Sequence, residues 1–252
     1  MEGLLSLRGV WLSYSRGPRH AVKVLSDVSL DVEPGEVVAV LAQRAQGKTS
    51  LLRVAAGMER PNRGTVSFAD QDMWPREFRR RRIARRGHAN PWRRQIALVK
   101  STRPDMDLPV AESVALPLGT RHGAHEARLR AEHALRDVQA SECSDRGWDD
   151  LDSGERARVA LAHALARKPR LLLVDDLTAT LGLTDTAQIA ELIHGLAASR
   201  EIAVLMSAGD ARATGWSDRV ATLAGGTLLM APASPRADHD GGGEVIDFPG
   251  TG

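Results

Sequence analysis

The stretch at residues 37–52 constrains the fold of this 252-residue chain most, because it reads as a strand, a phosphate-binding loop and a helix. The apolar run at 37–41 is typical of a buried strand, and the leucines at 50–56 indicate a helix. The loop between them has the spacing of a P-loop, G-x-x-x-x-G-K-[ST], with alanine at the first glycine. Its residues are Ala42, Gln43, Arg44, Ala45, Gln46, Gly47, Lys48 and Thr49.

The chemistry of such a loop is phosphate binding by backbone N–H groups that surround the phosphate oxygens. Lys48 would reach the terminal phosphates, and the Thr49 hydroxyl would contact Mg²⁺. The sequence therefore predicts a nucleotide-binding strand–loop–helix.

Composition restricts the class of protein around this loop. Apolar residues make up 42% of the chain, which is enough for a buried core, and a net charge of +2 is too small to indicate nucleic acid. The single cysteine, Cys143, excludes an internal disulfide and fits a reducing compartment. No apolar run approaches the roughly 20 residues of a membrane helix, and the N-terminus lacks a signal-peptide core. We therefore expect a soluble chain that meets a membrane only through a partner.

Alternating apolar runs and helical periodicities follow one another along the chain. Strands are predicted at 4–14, 22–32, 65–68, 95–99, 171–174, 202–206 and 220–230, and helical spacing recurs at 127–138 and 189–196. Strands that alternate with helices predict a mostly parallel sheet and an α/β fold.

Residues 79–94 form the most basic segment, with eight arginines. The plain interpretation is a solvated surface helix or loop. The functional alternatives are a face near anionic lipid or a partner's acidic surface. Nucleic acid is a third alternative, but no zinc pattern, aromatic platform or helix-turn-helix spacing supports it.

Four stretches together resemble the ATP-binding subunit of ABC transporters, over nearly the whole chain to about Ala231. Residues 26–36, SDVSLDVEPGE, resemble the family's entry to the P-loop, and residues 171–182 resemble its Walker B strand and D-loop. Residues 111–118, AESVALPL, are similar to the ENVALPL run of the macrolide-exporter, lipoprotein-release and cell-division branch. Residues 151–160, LDSGERARVA, are similar to the LSGGE signature and its helix.

The resemblance implies a P-loop NTPase fold: a RecA-like core with an antiparallel β subdomain and an inserted α-helical subdomain. Residues 1–231 would form the ATP-binding domain, with the helical subdomain at about 101–155, and residues 232–252 a flexible glycine-rich tail.

The resemblance also implies that two such domains face head to tail, with each ATP held by one P-loop and the partner's signature. The nucleotide-binding positions would be Tyr14, the loop 42–49, Ser50, Lys100, Asp152, Ser153, Gly154 and Glu155, with Thr49 and Asp175 for Mg²⁺. Tyr14 would stack on adenine, although an ordinary strand tyrosine remains an alternative.

Several of these positions depart from the family pattern. Ala42 and Ala45 replace glycines that can take φ > 0 and admit close phosphate approach, and an alanine in the left-handed region costs about 1–2 kcal/mol. Lys100 stands at the Q-loop glutamine, where its charge is expected to attract phosphate and repel Mg²⁺ unless the side chain points into solvent.

Further departures concern the catalytic groups. Asp175 keeps the Walker B carboxylate, but Asp176 replaces the glutamate that polarises the attacking water, and Gly209 replaces the switch histidine. In the signature, Asp152 and Ser153 replace Ser-Gly, and a carboxylate there would repel the partner-bound γ-phosphate.

Three hypotheses follow. The preferred interpretation is a degenerate nucleotide-binding subunit, a structural or regulatory partner of an integral-membrane permease and a second ABC ATPase subunit at the cytoplasmic face of the membrane. A heterodimer is favoured over a homodimer, and binding of ATP and Mg²⁺ is expected to be weak or lost. The alternative is an active ATPase subunit that drives transport. A non-transport relative would bring zinc modules, coiled-coil insertions or a second cassette, so no nucleic-acid partner is expected.

Overall fold

The computed structural model describes residues 3–15, 21–75, 91–100, 103, 107–209 and 211–231. Within these ranges the strands are Leu5–Ser15 (β1), Ala21–Val32 (β2), Val37–Leu41 (β3), Arg63–Phe68 (β4), Gln71–Asp72 (β5), Ile96–Lys100 (β6), Leu171–Asp175 (β7), Ala203–Ala208 (β8), Arg219–Ala224 (β9) and Thr227–Met230 (β10). The α-helices are Lys48–Ala55 (α1), Val110–His122 (α2), Ala124–Asp137 (α3), Ser153–Leu165 (α4) and Leu183–Arg200 (α5).

The strands form two sheets. The larger has the order β10-β9-β3-β8-β7-β6, in which β9, β3, β8, β7 and β6 run parallel and β10 is an antiparallel edge strand. The smaller sheet is antiparallel, with the order β2-β1-β4-β5. Parallel strands place their carboxyl ends at one edge of the sheet, and this edge positions the candidate site.

The core lies on both faces of the larger sheet, because successive strand side chains point to opposite faces. In β3, Val37 and Ala39 pack with the apolar residues of α2, α3, α4 and α5. Val38 and Val40 pack on the other face with α1 and the antiparallel sheet. Strand β3 is thus buried on both sides, as its unbroken apolar sequence predicts.

The predicted α/β architecture with a mostly parallel sheet and a separate antiparallel sheet is confirmed. Helix α1 begins at Lys48, two residues before the predicted start. The apolar run at 220–230 divides into β9 and β10 at the Gly225–Gly226 turn.

Some predictions fall outside the described residues: most of the arginine-rich segment (79–90), Ser101, Thr102 and the tail 232–252. In the described part of the chain, no helix is both long and apolar enough to span a membrane.

Candidate functional site

The P-loop joins the carboxyl end of β3 to the start of α1, where free backbone N–H groups face outward. Gly47 precedes α1 with φ 99°, a left-handed conformation. A Cβ on Gly47 would lie 2.8 Å from Val24 Cγ1, so a side chain there would collide with β2. Glycine is therefore required at this one loop position both for its conformation and for space.

Lys48 is buried at the floor of the loop, with only 8% of the residue exposed. Its Nζ donates hydrogen bonds to the carbonyl oxygens of Ala42 at 2.9 Å and Ala208 at 3.5 Å. The same Nζ lies 3.5 Å from Asp176 Oδ1. The lysine of the P-loop motif is thus paired with Asp176, the carboxylate that the resemblance predicts at the catalytic position.

The two P-loop alanines differ in backbone conformation. Ala45 is exposed and takes φ 63°, in the left-handed region, so the expected cost of about 1–2 kcal/mol applies to it. Ala42 is buried, is not among the described residues with positive φ, and donates its N–H to the Ala208 carbonyl at 3.2 Å. The conformational penalty expected for both alanines therefore falls on Ala45 alone.

The remaining polar side chains of the P-loop differ in their exposure and contacts. Gln43 and Arg44 are exposed. Gln46 Oε1 accepts a hydrogen bond from the Gly225 N–H at 3.1 Å, which ties the loop to the turn between β9 and β10.

Tyr14, near the end of β1, lies beside the first turn of α1. Its hydroxyl donates to Glu59 Oε2 at 2.7 Å and lies 3.2 Å from Ser50 Oγ. Partial burial raises the pKa of the Tyr14 phenol, and the Glu59 hydrogen bond adds to the rise. These contacts place the ring at the rim of the loop.

Asp175, the last residue of β7, is the centre of the site. Its Oδ1 accepts hydrogen bonds from Thr49 Oγ1 at 3.2 Å and from Ser207 Oγ at 3.3 Å. Its Oδ2 lies 3.9 Å from Lys100 Nζ. Lys100 therefore contacts the Walker B carboxylate, and the alternative of a lysine directed only into solvent does not hold.

These contacts test whether the site fits Mg²⁺. The Thr49 hydroxyl and the Asp175 carboxylate are the hard oxygen ligands that Mg²⁺ prefers. The Lys100 ammonium, 3.9 Å from the same carboxylate, opposes a second cation there. The residues present therefore do not fit the divalent metal that the family resemblance implies.

Asp176 follows β7 with φ 51°, a left-handed conformation that aspartate adopts more readily than most residues. Its N–H donates to Ser207 Oγ at 2.8 Å. A Cβ on Gly209 would lie 3.9 Å from Asp176 Oδ1, so Gly209 faces this carboxylate but brings no side chain to it.

Ser207 is the site residue that the sequence analysis missed. It accepts from the Asp176 N–H and donates to Asp175, and so fixes both acidic residues. A lone serine on a strand carries no spacing signature. Only the pairing of β7 with β8, which sets Val174 opposite Met206, brings it there.

The signature stretch 152–155 lies at the N-terminus of α4. Asp152 Oδ1 accepts the Glu155 N–H at 2.8 Å, and Glu155 Oε2 accepts the Asp152 N–H at 2.8 Å, a reciprocal capping box. Glu155 Oε1 also pairs with Arg146 Nη1 at 2.5 Å, which together with the Asp152 N–H lowers the pKa of the Glu155 carboxyl. Ser153 and Gly154 are the first two residues of the helix.

A cleft of about 600 Å³ opens over the P-loop. Its described lining includes Tyr14, Gln43, Arg44, Ala45, Gly47, Lys48, Thr49, Ser50 and Asp176, together with Arg53 and Glu59. Residues 152–155 are not part of that described lining. The described residues thus form a cleft over the P-loop, and the capped N-terminus of α4 is not among those that line it.

Comparison with known proteins agrees with this geometry. The family model described as ABC transporter matches residues 25–179. The lipoprotein-releasing system ATP-binding protein LolD of Chromohalobacter salexigens is 33% identical over 234 residues, which cover 90% of this chain and 93% of that protein. The probable anion import ATP-binding protein of Haloferax volcanii is 35% identical over 221 residues, 82% of this chain and 74% of that protein.

Solved structures share the fold. A dimeric ATP-binding cassette in a post-hydrolysis state with ADP and Pi matches with a TM-score of 0.74 and 23% identity, over 89% of this chain and 96% of that one. The cbiO1 protein of Clostridium perfringens, part of an ABC transporter complex, matches with a TM-score of 0.76 and 22% identity, over 91% of this chain and 88% of that one.

Proposed function

Because this chain belongs to the ABC transporter family as a nucleotide-binding subunit, we propose that it hydrolyses ATP slowly or not at all. Its role would be that of a structural or regulatory partner in a transporter. The observation that carries this proposal is the ion pair between Lys48 and Asp176, at 3.5 Å.

That ion pair keeps the Asp176 carboxylate from orienting the attacking water. Phosphoryl transfer to water depends on a group that orients the attacking water, and on groups that stabilise charge on the phosphate. Asp176 is one methylene shorter than glutamate, and a misplacement near 1 Å can cost about 10²-fold in rate. Its oxygen is directed to Lys48, so the carboxylate neutralises the lysine rather than orienting a water molecule.

Gly209, which replaces the switch histidine of the family, removes a second contribution to catalysis. It faces Asp176 at the end of β8 and supplies neither a hydrogen-bond donor nor a charge. Each preorganised donor at a developing charge is worth about 10²–10³ in rate. The loss of a donor at Gly209 therefore adds to the loss of rate caused by Asp176.

The signature would oppose hydrolysis in a partner's site. A helix N-terminus binds anions through its free N–H groups, but the Asp152 carboxylate already accepts the Glu155 N–H of α4. A phosphate that approached this end would meet a carboxylate of like charge.

The same losses favour a heterodimer with a second, competent ABC subunit. In a homodimer both composite sites would carry Asp176, Gly209 and the capped signature, so neither would hydrolyse ATP. A second subunit would supply its own catalytic carboxylate to one of the two sites. We propose that the pair binds an integral-membrane permease at the cytoplasmic face of the membrane.

A groove of about 570 Å³ beside α2 and α4 supports a partner of this kind. Its lining includes Leu116, which is 51% exposed, and Trp148. Exposed apolar side chains in a groove are typical of a surface that a partner covers.

The experiment is phosphate release by the purified subunit, alone and after co-purification with its transporter from detergent-solubilised membranes. We expect the isolated subunit to release phosphate at the background rate. A turnover of about 1 s⁻¹ or more, in the ordinary enzyme range, would contradict the proposal. Recovery with ribosomes or DNA, instead of an integral-membrane protein, would contradict the transport role.

A further inference from the structure

Lys100 and Asp175 are neighbours because of sheet register. Lys100 is the last residue of β6 and Asp175 the last residue of β7, and the two are directly paired in the parallel ladder. Their side chains leave the carboxyl edge of the sheet together, and Lys100 Nζ lies 3.9 Å from Asp175 Oδ2. The contact therefore follows from the pairing of edge strand β6 with β7, not from a loop.

The Asp175 carboxylate is surrounded by donors in this arrangement. Thr49 and Ser207 donate to Oδ1, and Lys100 lies against Oδ2. The Asp175 side chain is 10% exposed, so solvent screens this ion pair less than it would a surface pair. The Lys100 side chain is 41% exposed, so its ammonium is open to solvent, and the residue also lines the groove beside α2 and α4.

Among the described residues at this edge of the site, two acidic side chains each have a lysine partner. Lys48 pairs with Asp176, and Lys100 pairs with Asp175. A glutamine at 100 would leave Asp175 without a cation and would favour a divalent ion there. The lysine instead supplies one positive charge permanently, from the chain itself.

We propose that the Lys100 ammonium takes the place of the divalent metal, so that this site binds nucleoside di- or triphosphate as the metal-free anion. This inference rests on the proposed function only in that the chain binds nucleotide at its P-loop. The inference concerns whether the nucleotide binds with or without a metal ion. It does not depend on how fast the nucleotide is hydrolysed.

The experiment is equilibrium dialysis of the full chain with labelled ATP, in excess Mg²⁺ and again in excess EDTA. We compare wild type with Lys100→Gln, which removes the charge, and Lys100→Arg, which keeps it. Lys168→Gln is the matched control, because it removes an exposed lysine whose side chain lines a different cleft. Circular dichroism checks that each variant is folded.

For wild type, Lys100→Arg and Lys168→Gln, we expect the dissociation constant to change by less than about threefold between the two conditions. Lys100→Gln should bind about tenfold or more weakly in EDTA than in Mg²⁺. If Lys100→Gln does not fold, the wild-type and Lys100→Arg ratios alone decide the outcome.

A wild type that loses about tenfold or more affinity in EDTA would overturn the inference, while nucleotide binding would stand. Equal ratios for wild type and Lys100→Gln would likewise overturn it, because Lys100 would then have no effect on metal dependence. Absence of saturable binding in both conditions would overturn both the inference and the nucleotide-binding role.

Discussion

Ala42 and Ala45 are the same residue type in one loop, yet their backbone conformations differ, so a glycine should affect stability in opposite directions at the two positions. Ala45 is held at φ 63°, where its Cβ crowds the backbone, whereas Ala42 is buried outside the left-handed region. Glycine would relieve strain at Ala45. At Ala42 it would increase the entropy of the unfolded chain and remove a buried methyl group from the core.

We predict opposite effects on stability from the two glycine substitutions. Ala45→Gly should raise the free energy of unfolding by up to about 1 kcal/mol, since relief of strain outweighs the entropy of glycine. Ala42→Gly should lower it by about 0.5–1 kcal/mol. Urea unfolding of both variants measures the difference, and a loss of stability in Ala45→Gly would show that the loop carries no strain at that residue.

The site residues divide by whether a local pattern identifies them. Lys48, Thr49 and Asp175 could be predicted, because the P-loop and the end of a buried strand place them at the carboxyl edge of a parallel sheet. The contact of Lys100 with Asp175 and the role of Ser207 could not, because both depend on strand register, which a single sequence leaves open.

Helix α4 begins with a capping box whose members are also the signature residues. Asp152 satisfies the N–H of Glu155, and Glu155 satisfies the N–H of Asp152. The Asp152 carboxylate is therefore a stabilising element of the helix.

We predict that Asp152→Ala lowers the free energy of unfolding by about 1 kcal/mol, because an N-terminal N–H group loses its acceptor. Asp152→Ser keeps a good N-cap and should lie within a few tenths of a kcal/mol of wild type. Thermal or urea unfolding compares the two. Equal stability of the alanine and serine variants would show that Asp152 does not act as a cap.

Helices α2 and α4 are joined by a neutral histidine. Ser113 Oγ donates to the Val110 carbonyl at 2.8 Å and so accepts from His163 Nε2, 3.2 Å away. Burial, with Arg167 nearby, lowers the pKa of His163 to about 4. The unfolded chain binds a proton at about pH 6.5, so the stability from neutral His163 is complete above that pH and is lost as the pH falls toward 4.

We predict that wild type loses about 1 kcal/mol more stability than His163→Gln between about pH 7 and about pH 5.5. Glutamine keeps a hydrogen-bond donor for Ser113 and does not titrate, while the other acidic and basic groups contribute equally to both proteins. Urea unfolding at the two pH values gives the comparison. Parallel pH dependences would mean that His163 titrates normally in the folded state.

The elements themselves were largely predictable. Strand β3 reads as an unbroken apolar run because both its faces are covered, and α3 shows helical spacing. Apolar periodicity did not indicate α2, because Pro117 lies within it and the periodicity of its apolar residues is weak. Only the family resemblance placed a helical subdomain, at about 101–155, over this stretch. Packing of α2 against α3 and α4 supplies the stabilisation that its local helix propensity does not.

Across the described part of the molecule, the charged residues predicted to face nucleotide have partners within the chain. Lys48 pairs with Asp176, Lys100 with Asp175, and Asp152 with the N-terminus of α4. The fold of an ATP-binding cassette is retained while its charges are balanced from within. The proposal of slow or absent hydrolysis rests on this arrangement of charges within a cassette fold.

The most direct test of that account is the ATP turnover of wild type against Asp176→Asn, each measured alone and in the assembled transporter. If Asp176 neutralises Lys48 and does not orient a water molecule, both isolated proteins should turn over ATP at the background rate. The turnover of the two complexes should then agree within about twofold. A wild-type turnover of about 1 s⁻¹ or more that falls by about 10²-fold in Asp176→Asn would contradict the account, because Asp176 would then be a working catalytic residue.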